Sequence, residues 1–420
     1  MRGAPSFPPR AGGVLFAATV GNALATTPAV HAVFGTFLVP LSQEFGWSRA
    51  SISAVLAIIA LTGALFYPLA GRHADAHGAR RMVLIGSALF GLAIAALALN
   101  RGSLLQFYLT FLAIGLFGAL PNTSIYSKMV AEWFVANRGT ALGISAGLGN
   151  GLGSALLPAL AAGLIATAGW RVAYLGIAAL VLAVGLPIAV RYLYDAPATA
   201  PASAVGATCP PPPADGLSLR EAAGLRAFWL TLVAIALGAG ITTAIFSHVV
   251  PIVGDRGFGI ATGTAVLGVF ALVASGWQIA TGRLLDRTPG PHIVAPLYGL
   301  AIVGLTLLEL GRSPWHLLLG GAVLGIALGT QFGALPFFVA RYFGLRHFGA
   351  ILGMMYSAVI AAQGLTPVLL DASFDRQGHY RLALAAAAGV LALGTTLLLA
   401  LPGYGTPPRA RQSPLPAAAP

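Results

Sequence analysis

Charged residues are scarce in this 420-residue chain: Asp, Glu, Lys and Arg make up 8% of it, while hydrophobic residues make up 57%. Soluble proteins use about 25% charged residues, so a water-facing surface cannot be built from this composition. Cysteine is nearly absent as well, and the single Cys209 excludes an internal disulfide. We interpret Cys209 as an incidental residue of a cytoplasmic linker. The composition predicts an integral membrane protein.

Sequence patterns of enzymes are also missing. No apolar run carries paired carboxylates at general acid and base spacing, and no His, Cys, Asp or Glu cluster has the spacing of metal ligands. The Gly-x-x-x-x-Gly-Lys-Ser/Thr loop that cradles nucleotide phosphates is absent. The net charge of +12 does not form a basic patch interleaved with aromatic residues. We therefore predict no enzymatic activity, no metal, no cofactor and no nucleic-acid partner.

What the chain does contain is a series of long apolar runs, each near the 20 residues that a helix needs to cross about 30 Å of hydrocarbon. Basic residues concentrate in alternate loops, and the positive-inside rule then predicts an inner (plasma) membrane protein with both termini in the cytoplasm. The expected partners are the lipid bilayer and a small-molecule substrate, and the expected state is a monomer. The predicted spans are 12–40, 50–70, 82–100, 104–127, 139–166, 172–194, 227–252, 260–281, 292–310, 315–340, 348–370 and 382–401.

The second half of the chain repeats the first. The pattern Gly-Arg-x-x-Asp begins at Gly71 and returns at Gly282, 211 positions later. The repeat predicts an all-α membrane protein with twelve transmembrane helices in two six-helix, pseudo-symmetric halves. Ser218 and Glu221 form a potential capping box at the start of a short surface helix that leads to Phe228 and Trp229. The predicted domains are an N-terminal half (1–194), a Pro/Ala-rich cytoplasmic linker with a short surface helix (195–224), a C-terminal half (225–402) and a disordered cytoplasmic tail (403–420).

The first charged segment, Gly71 to Arg81, is expected to be a turn between two spans, with Asp75 capping the next helix or pairing with a neighbouring arginine. It resembles the loop between helices two and three of the major facilitator superfamily, with one extra residue after Gly78. The resemblance implies a conformational latch between the halves. The latch residues would be Gly71, Asp75, Gly78, Arg80, Arg81, Arg138, Gly282, Arg283 and Asp286.

A longer part of the first half, from Trp133 through Arg138 to Trp170, is similar to the monocarboxylate and oxalate/formate exchanger branch of that superfamily. This resemblance implies a secondary active transporter that moves a small organic anion, a monocarboxylate, by alternating access. Its cavity would be lined by helices 1, 2, 4, 5, 7, 8, 10 and 11. The chain departs from the branch because residues 260–281 and 349–370 contain no Lys or Arg, which argues against a dicarboxylate substrate.

Polar side chains within the spans are candidates for substrate contact, although hydrogen bonding between helices is the alternative for each. The candidates for a charge or coupling role are His31 and Lys128, whose side chains can carry a positive charge. His31 would bind an anion or accept a proton, or else be a neutral imidazole bonded between helices, and Pro28 should bend the helix beside it. Lys128 would attract a carboxylate or else extend to the membrane interface. The substrate-contact candidates are Asn22, Thr26, His31, Asn122, Tyr126, Asn150, Thr243, Gln278, Gln331, Tyr356 and Gln363.

Two other functions fit the same sequence. An uncharged cavity would suit an efflux carrier for a neutral or amphipathic solute, as in drug-type export. A transporter-like fold could also act as a ligand sensor, which would bind a ligand without moving it. Flux assays with organic anions and with neutral solutes distinguish the three functions.

Overall fold

The computed structural model describes residues 9–134, 137–196, 216–377 and 379–404, so Cys209, the Pro-rich part of the linker and nearly all of the predicted tail lie outside the described residues. Within these ranges twelve helices are long and apolar enough to cross a membrane, which confirms the predicted fold class. We number these spans in chain order. They are α1 (Arg10–Ala32), α2 (Ala54–His77), α3 (Arg80–Leu97), α4 (Leu104–Trp133), α5 (Arg138–Ala168), α6 (Trp170–Tyr192), α7 (Arg226–Asp255), α8 (Thr262–Arg287), α9 (Pro291–Leu310), α10 (Pro314–Phe343), α11 (Phe348–Leu370) and α12 (Arg381–Leu399).

The first predicted span, 12–40, is divided rather than continuous. An α-helix covers Pro9–Ala23, a π-helical turn covers Thr27–Ala32, and a further α-helix covers Phe34–Phe45. Pro28 lies at the start of the π-helical turn. It has no backbone N–H to donate, and an irregular turn at this point accommodates the missing bond. The helix is thus interrupted next to the proline at which the sequence predicts a bend.

Span α4 is interrupted as well, between the helices Leu104–Gly118 and Thr123–Trp133. Asn122 caps the second helix, because its side-chain oxygen accepts hydrogen bonds from the backbone N–H of Ser124 (2.7 Å) and of Ile125 (3.1 Å). Its amide nitrogen donates to the carbonyl of Ala119 (2.6 Å). The prediction of one helix over 104–127 is wrong. The backbone occupies the side chain of Asn122, so its predicted role as a substrate contact is not supported by this geometry.

The charged segment is mostly helix rather than a turn, because the helix that contains α2 runs from Arg49 to His77. The chain turns only at Gly78, whose φ of +82° favours glycine. Asp75 does not cap the following helix, contrary to expectation. That role falls to Asp195, whose carboxylate accepts hydrogen bonds from the backbone N–H of Ala79 (2.9 Å) and of Arg80 (3.0 Å). The loop after α6 is thereby tied to the start of α3.

The two halves meet along two seams, the first between α2 and α11. A Cβ atom at Gly71 would lie 2.0 Å from the carbonyl oxygen of Gly349, and one at Gly353 would lie 2.6 Å from that of Tyr67. Further along the seam, a Cβ at Gly364 would meet its nearest atom only at 3.7 Å. The helices are therefore in backbone contact near Gly71 and pack less tightly further along. We call the end of the molecule that carries Gly71 the closed end, and the other the open end.

The second seam joins α5 to α8 in the same way. A Cβ at Gly139 would lie 2.4 Å from the carbonyl oxygen of Gly282, and a Cβ at Gly143 would lie 2.7 Å from that of Gln278. Only a residue without a side chain permits such approaches. Leu156, further along α5, is 64% exposed. Glycines at the repeated positions thus hold both seams together at the closed end.

The predicted capping box is present at the end of the linker. The Ser218 hydroxyl accepts from the backbone N–H of Glu221, and the Glu221 carboxylate accepts from the backbone N–H of Ser218 (2.7 Å). They begin the short helix Leu219–Ala223. The backbone N–H of Leu217 donates to the carbonyl of Phe343 at the end of α10 (2.8 Å). This end of the linker is therefore attached to the closed end of the second half.

At the open end, Glu44 pairs with Arg171 (2.7 Å) and accepts a hydrogen bond from the Trp170 indole. These bonds favour the carboxylate and lower the pKa of Glu44. The pKa in the folded protein lies below the unfolded value of about 4.3. The stability that the pair contributes is therefore present above that value and is lost as the pH falls through the folded pKa.

We expect Glu44→Gln to reduce the fall in thermal unfolding temperature between about pH 5 and pH 3. The effect should be a few degrees at most, because both side chains are about 40% exposed and exposed pairs contribute about 0–1 kcal/mol. Thermal unfolding in detergent across this pH range measures it. Glu309→Gln, which breaks the pair with Arg381 (3.0 Å), is the matched control. If the unfolding temperature of the parent and that of Glu44→Gln fall equally over this pH range, the prediction is contradicted.

Candidate functional site

Asp75 of α2 reaches across to the other half of the protein. One of its carboxylate oxygens accepts a hydrogen bond from the backbone N–H of Gly349 (3.0 Å), and the other accepts from that of Ala350 (2.8 Å). Both donors belong to the first turn of the α11 helix, where backbone N–H groups lack partners within the helix and the helix dipole favours a negative charge. Asp75 is therefore an N-terminal cap for a helix of the opposite half.

Asp286 makes the corresponding contact from the second half. Its carboxylate accepts hydrogen bonds from the backbone N–H of Gly139 and of Thr140 and from the Thr140 hydroxyl, each at 2.8 Å. These donors belong to the first turn of α5. Two carboxylates at equivalent positions of the repeat thus hold the closed end, each by capping a helix in the other half.

The basic residues predicted for the latch do not join these carboxylates in direct ion pairs among the described residues. The Arg80 guanidinium donates to the carbonyls of Leu193 (2.7 Å) and Val190 (2.9 Å) at the end of α6. The Arg138 guanidinium donates to the carbonyl of Phe134 (3.0 Å). Arg81 and Arg283 are exposed. The contacts between the halves at the two caps are therefore made by carboxylates, backbone amides and glycines.

Lys128 is buried in an ion-pair network instead of extending to the membrane interface. Its ammonium lies 3.1 Å from a carboxylate oxygen of Asp75 and also pairs with Glu132. The Lys128 side chain is 7% exposed and that of Asp75 is 4% exposed. The expected extension of Lys128 to the membrane interface is not observed, and in this conformation two carboxylates already pair with the cation; substrate binding by Lys128 stays a prediction. Glu132 was missed, although its position four residues after Lys128 is the spacing of helical ion pairs.

Several predicted substrate contacts are hydrogen-bonded between helices. The amide nitrogen of Asn22 donates to the hydroxyl of Ser145 (3.1 Å), which links α1 to α5. The amide nitrogen of Gln363 donates to the hydroxyl of Thr243 (2.8 Å), which links α11 to α7. Thr26 is buried, and its hydroxyl is 3.4 Å from the carbonyl of Gly118. In this conformation these three bonds hold helices together, which is the alternative stated for each.

Other predicted contacts contain buried polar atoms that have no hydrogen-bond partner among the described residues. They are the side-chain oxygens of Asn22 and Asn150, both polar atoms of the Gln331 amide, and the hydroxyl of Tyr356. The indole nitrogen of Trp277 in α8 is also buried and has no hydrogen-bond partner among the described residues. A buried polar atom without a partner is rare in proteins, because its desolvation is not compensated. These atoms are candidates for binding a polar ligand or water.

The remaining three candidates differ in accessibility. Tyr126 is buried and packs against α1, where a Cβ at Gly21 would lie 2.3 Å from its ring. Gln278 is 9% exposed and lies at the α5–α8 seam beside Gly147. His31 is the only one of the eleven that is exposed, and it lies on the π-helical turn of α1. Of the two cationic candidates, His31 alone is exposed in the part of the chain that the structure describes.

These features define a class of protein: a membrane protein with two repeated helical halves that meet around buried polar side chains and are closed at one end. The family model for the Major Facilitator Superfamily matches residues 15–316. The chain belongs to the Major Facilitator Superfamily.

Three relatives show the range of similar proteins. The chain is 28% identical over 421 residues to the gallate transporter of Pseudomonas putida, covering 90% of each protein. It is 28% identical over 391 residues to the 4-hydroxybenzoate transporter PcaK of Pseudomonas aeruginosa, covering 80% of this chain and 85% of the relative. A shorter match, 36% identical over 136 residues, covers 31% of this chain and 26% of the probable anion transporter 3, chloroplastic, of Oryza sativa.

Proposed function

We propose that this chain is a secondary transporter that carries a small organic anion with one carboxylate across the inner membrane by alternating access. Two relatives that match most of the chain carry names of transporters for gallate and 4-hydroxybenzoate, both aromatic monocarboxylates. They favour an aromatic acid over the aliphatic substrates of the oxalate/formate branch. The positive-inside bias supports cytoplasmic termini, so that the closed end would be the cytoplasmic end and the chain would be open to the opposite side.

The observation that carries the proposal is the accessibility of His31. It lies on an irregular turn in the first span and is exposed, whereas Lys128 is neutralised by Asp75 and Glu132. An ionisable side chain within a span is costly unless it faces water or a partner. A carboxylate that enters from the open end would therefore meet His31 as its cationic or hydrogen-bonding partner, while the other candidate contacts offer neutral hydrogen bonds.

Transport by this mechanism requires the closed end to open. The caps made by Asp75 and Asp286, together with the glycine contacts at both seams, would then separate. Each cap consists of two or three hydrogen bonds to a charged acceptor, and one such bond typically contributes about 1.5–3 kcal/mol. Substrate binding would have to offset part of this cost, so that the loaded protein changes conformation more readily than the empty one.

The proposal is tested by counterflow of labelled 4-hydroxybenzoate, gallate and lactate into proteoliposomes. We expect flux of at least one of these acids in the parent and a reduction of about 10-fold or more in His31→Gln, because a hydrogen bond to a charged group is lost. His316→Gln is the matched control, since His316 is exposed and bonds locally to Ser313. Equal flux in the parent and His31→Gln would contradict the assigned role of His31. Absence of flux for all three acids would overturn the proposed function.

Export of a neutral or amphipathic solute is the second candidate, and the neutralised Lys128 favours it because the remaining inner contacts are uncharged apart from His31. The same proteoliposomes, given labelled chloramphenicol as a neutral amphipathic probe, distinguish this function. Movement of that probe without movement of any carboxylate would support export. Binding of 4-hydroxybenzoate without any flux would instead support a ligand sensor.

A further inference from the structure

The hydroxyl of Tyr356 lies near the place where the α2–α11 seam begins to widen. On the closed side, a Cβ at Gly353 would lie 2.6 Å from the carbonyl oxygen of Tyr67, and the adjacent Ser357 hydroxyl donates to the carbonyl of Ala64. Two turns beyond Ser357, a Cβ at Gly364 would lie 3.7 Å from its nearest atom. Tyr356 therefore lies beside the seam between the halves, between its tight part at Gly353 and its looser part at Gly364, and we call this place the floor.

The ring of Tyr356 is 5% exposed, and its hydroxyl has no hydrogen-bond partner in the described part of the chain. A phenolic hydroxyl can both donate and accept, and a buried one normally does at least one of these. By contrast, the buried hydroxyl of Tyr298 in the same half donates to the carbonyl of Ala234 at 2.8 Å. The fold thus supplies a partner for one buried tyrosine and leaves the other without one.

Aromatic side chains from both halves lie near Tyr356. Phe332 of α10 lies nearly parallel to Tyr356, with ring centroids 6.5 Å apart and planes inclined by 20°. Tyr67, from the first half, is close enough to interact electrostatically with Tyr356. Such a floor is apolar on its faces and carries one unpaired polar group, the combination that suits a hydroxylated aromatic ring.

The direction of the Tyr356 side chain places it on the inner face of α11. Gln363 follows seven residues later, so the two side chains lie on one face of the helix, two turns apart. Gln363 contacts α7 through Thr243, and Tyr356 contacts α10 through Phe332. This face is therefore directed at the other inner helices, and Gln363 lies nearer the open end than Tyr356.

We propose that the Tyr356 hydroxyl binds a ring hydroxyl of the substrate, and that the transporter thereby selects hydroxylated aromatic carboxylates over unsubstituted ones. This inference rests on the proposed transport of organic anions. The carboxylate would point towards the open end, and the ring would pack against Phe332. A site built to bond a hydroxyl rejects the analogue that lacks it, because the polar group of the protein is then left unpaired.

Counterflow of labelled 4-hydroxybenzoate and labelled benzoate tests the inference through one ratio. The ratio is the half-saturation concentration for benzoate divided by that for 4-hydroxybenzoate. We expect it to be well above 1 in the parent and to fall about 5- to 10-fold in Tyr356→Phe, the effect of one hydrogen bond. Tyr298→Phe removes a hydroxyl that the protein itself satisfies. It should leave the ratio unchanged even where it lowers stability.

The possible failures are distinguishable. A parent that moves neither acid nor lactate refutes the proposed function and this inference together. A parent that moves lactate but neither aromatic acid refutes this inference alone. A parent with a ratio of about 1, or a Tyr356→Phe variant with the parental ratio, also refutes only the role of Tyr356. Because the parental ratio is decisive by itself, the inference remains testable if Tyr356→Phe fails to fold.

Discussion

Replacement of Asp75 by Asn is expected to shift the protein towards a conformation in which the closed end is open. The neutral amide loses the favourable interaction with the α11 helix dipole, and the NH2 group that replaces one carboxylate oxygen cannot accept the hydrogen bond which that oxygen accepts in the parent. A loss of about 2–3 kcal/mol changes the ratio of the two conformations by roughly 30- to 150-fold. Because the closed form is then rarely populated, transport should fall about 10-fold or more.

The shift is measured by the distance between spin labels at Arg72→Cys and Arg346→Cys, both exposed at the closed end in opposite halves, in a Cys209→Ser background. We expect the distance distribution to lengthen in Asp75→Asn, and likewise in Asp286→Asn by the symmetry of the repeat. Asp195→Asn is the matched control, since Asp195 caps a helix within its own half. An unchanged distribution in both latch variants, or an equal lengthening in Asp195→Asn, would contradict the assignment.

Replacement of Lys128 by Met is expected to destabilise the protein more than any other change considered. It leaves the carboxylates of Asp75 and Glu132 close together without a cation, and both have limited solvent access. Removal of one partner from a buried ion pair costs about 3–5 kcal/mol. For a protein of this size that corresponds to a fall in the thermal unfolding midpoint of roughly 3–6 °C, measured in detergent.

The second variant Lys128→Met/Glu132→Gln separates the electrostatic explanation from a loss of packing. It removes one of the two stranded carboxylates, so part of the lost thermal stability should return, whereas a packing defect would persist. Lys128 does not reach the open end, so we expect the half-saturation concentration of the surviving protein to stay near the parental value. A large rise in that concentration with an unchanged unfolding midpoint would show instead that Lys128 binds the substrate carboxylate.

The contrast between Asp75 and Asn122 shows where local rules of sequence succeed and where they fail. The residue types were informative in both cases: an aspartate at a helix end and an asparagine after a proline are both good caps. The local sequence predicted that Asp75 caps the next helix. Its partners are instead the backbone amides of Gly349 and Ala350, more than 270 residues away. For Asn122 the pattern did not distinguish a cap inside a broken span from a polar side chain on a cavity wall.

Sequence by itself determined the class of this protein and the number of its spans. In lipid, backbone groups must be hydrogen-bonded internally, so long apolar runs can only be helices. The resemblance of the charged segment to the superfamily loop also implied that Gly71 and Gly282 lie where the halves meet. Tertiary structure alone decided which polar groups are already satisfied: Lys128 is paired, Asn22 is partly bonded, and the Tyr356 hydroxyl is left without a partner. Such pairing depends on which helices lie side by side, and helix packing in a membrane follows from shape and small residues rather than from local hydropathy.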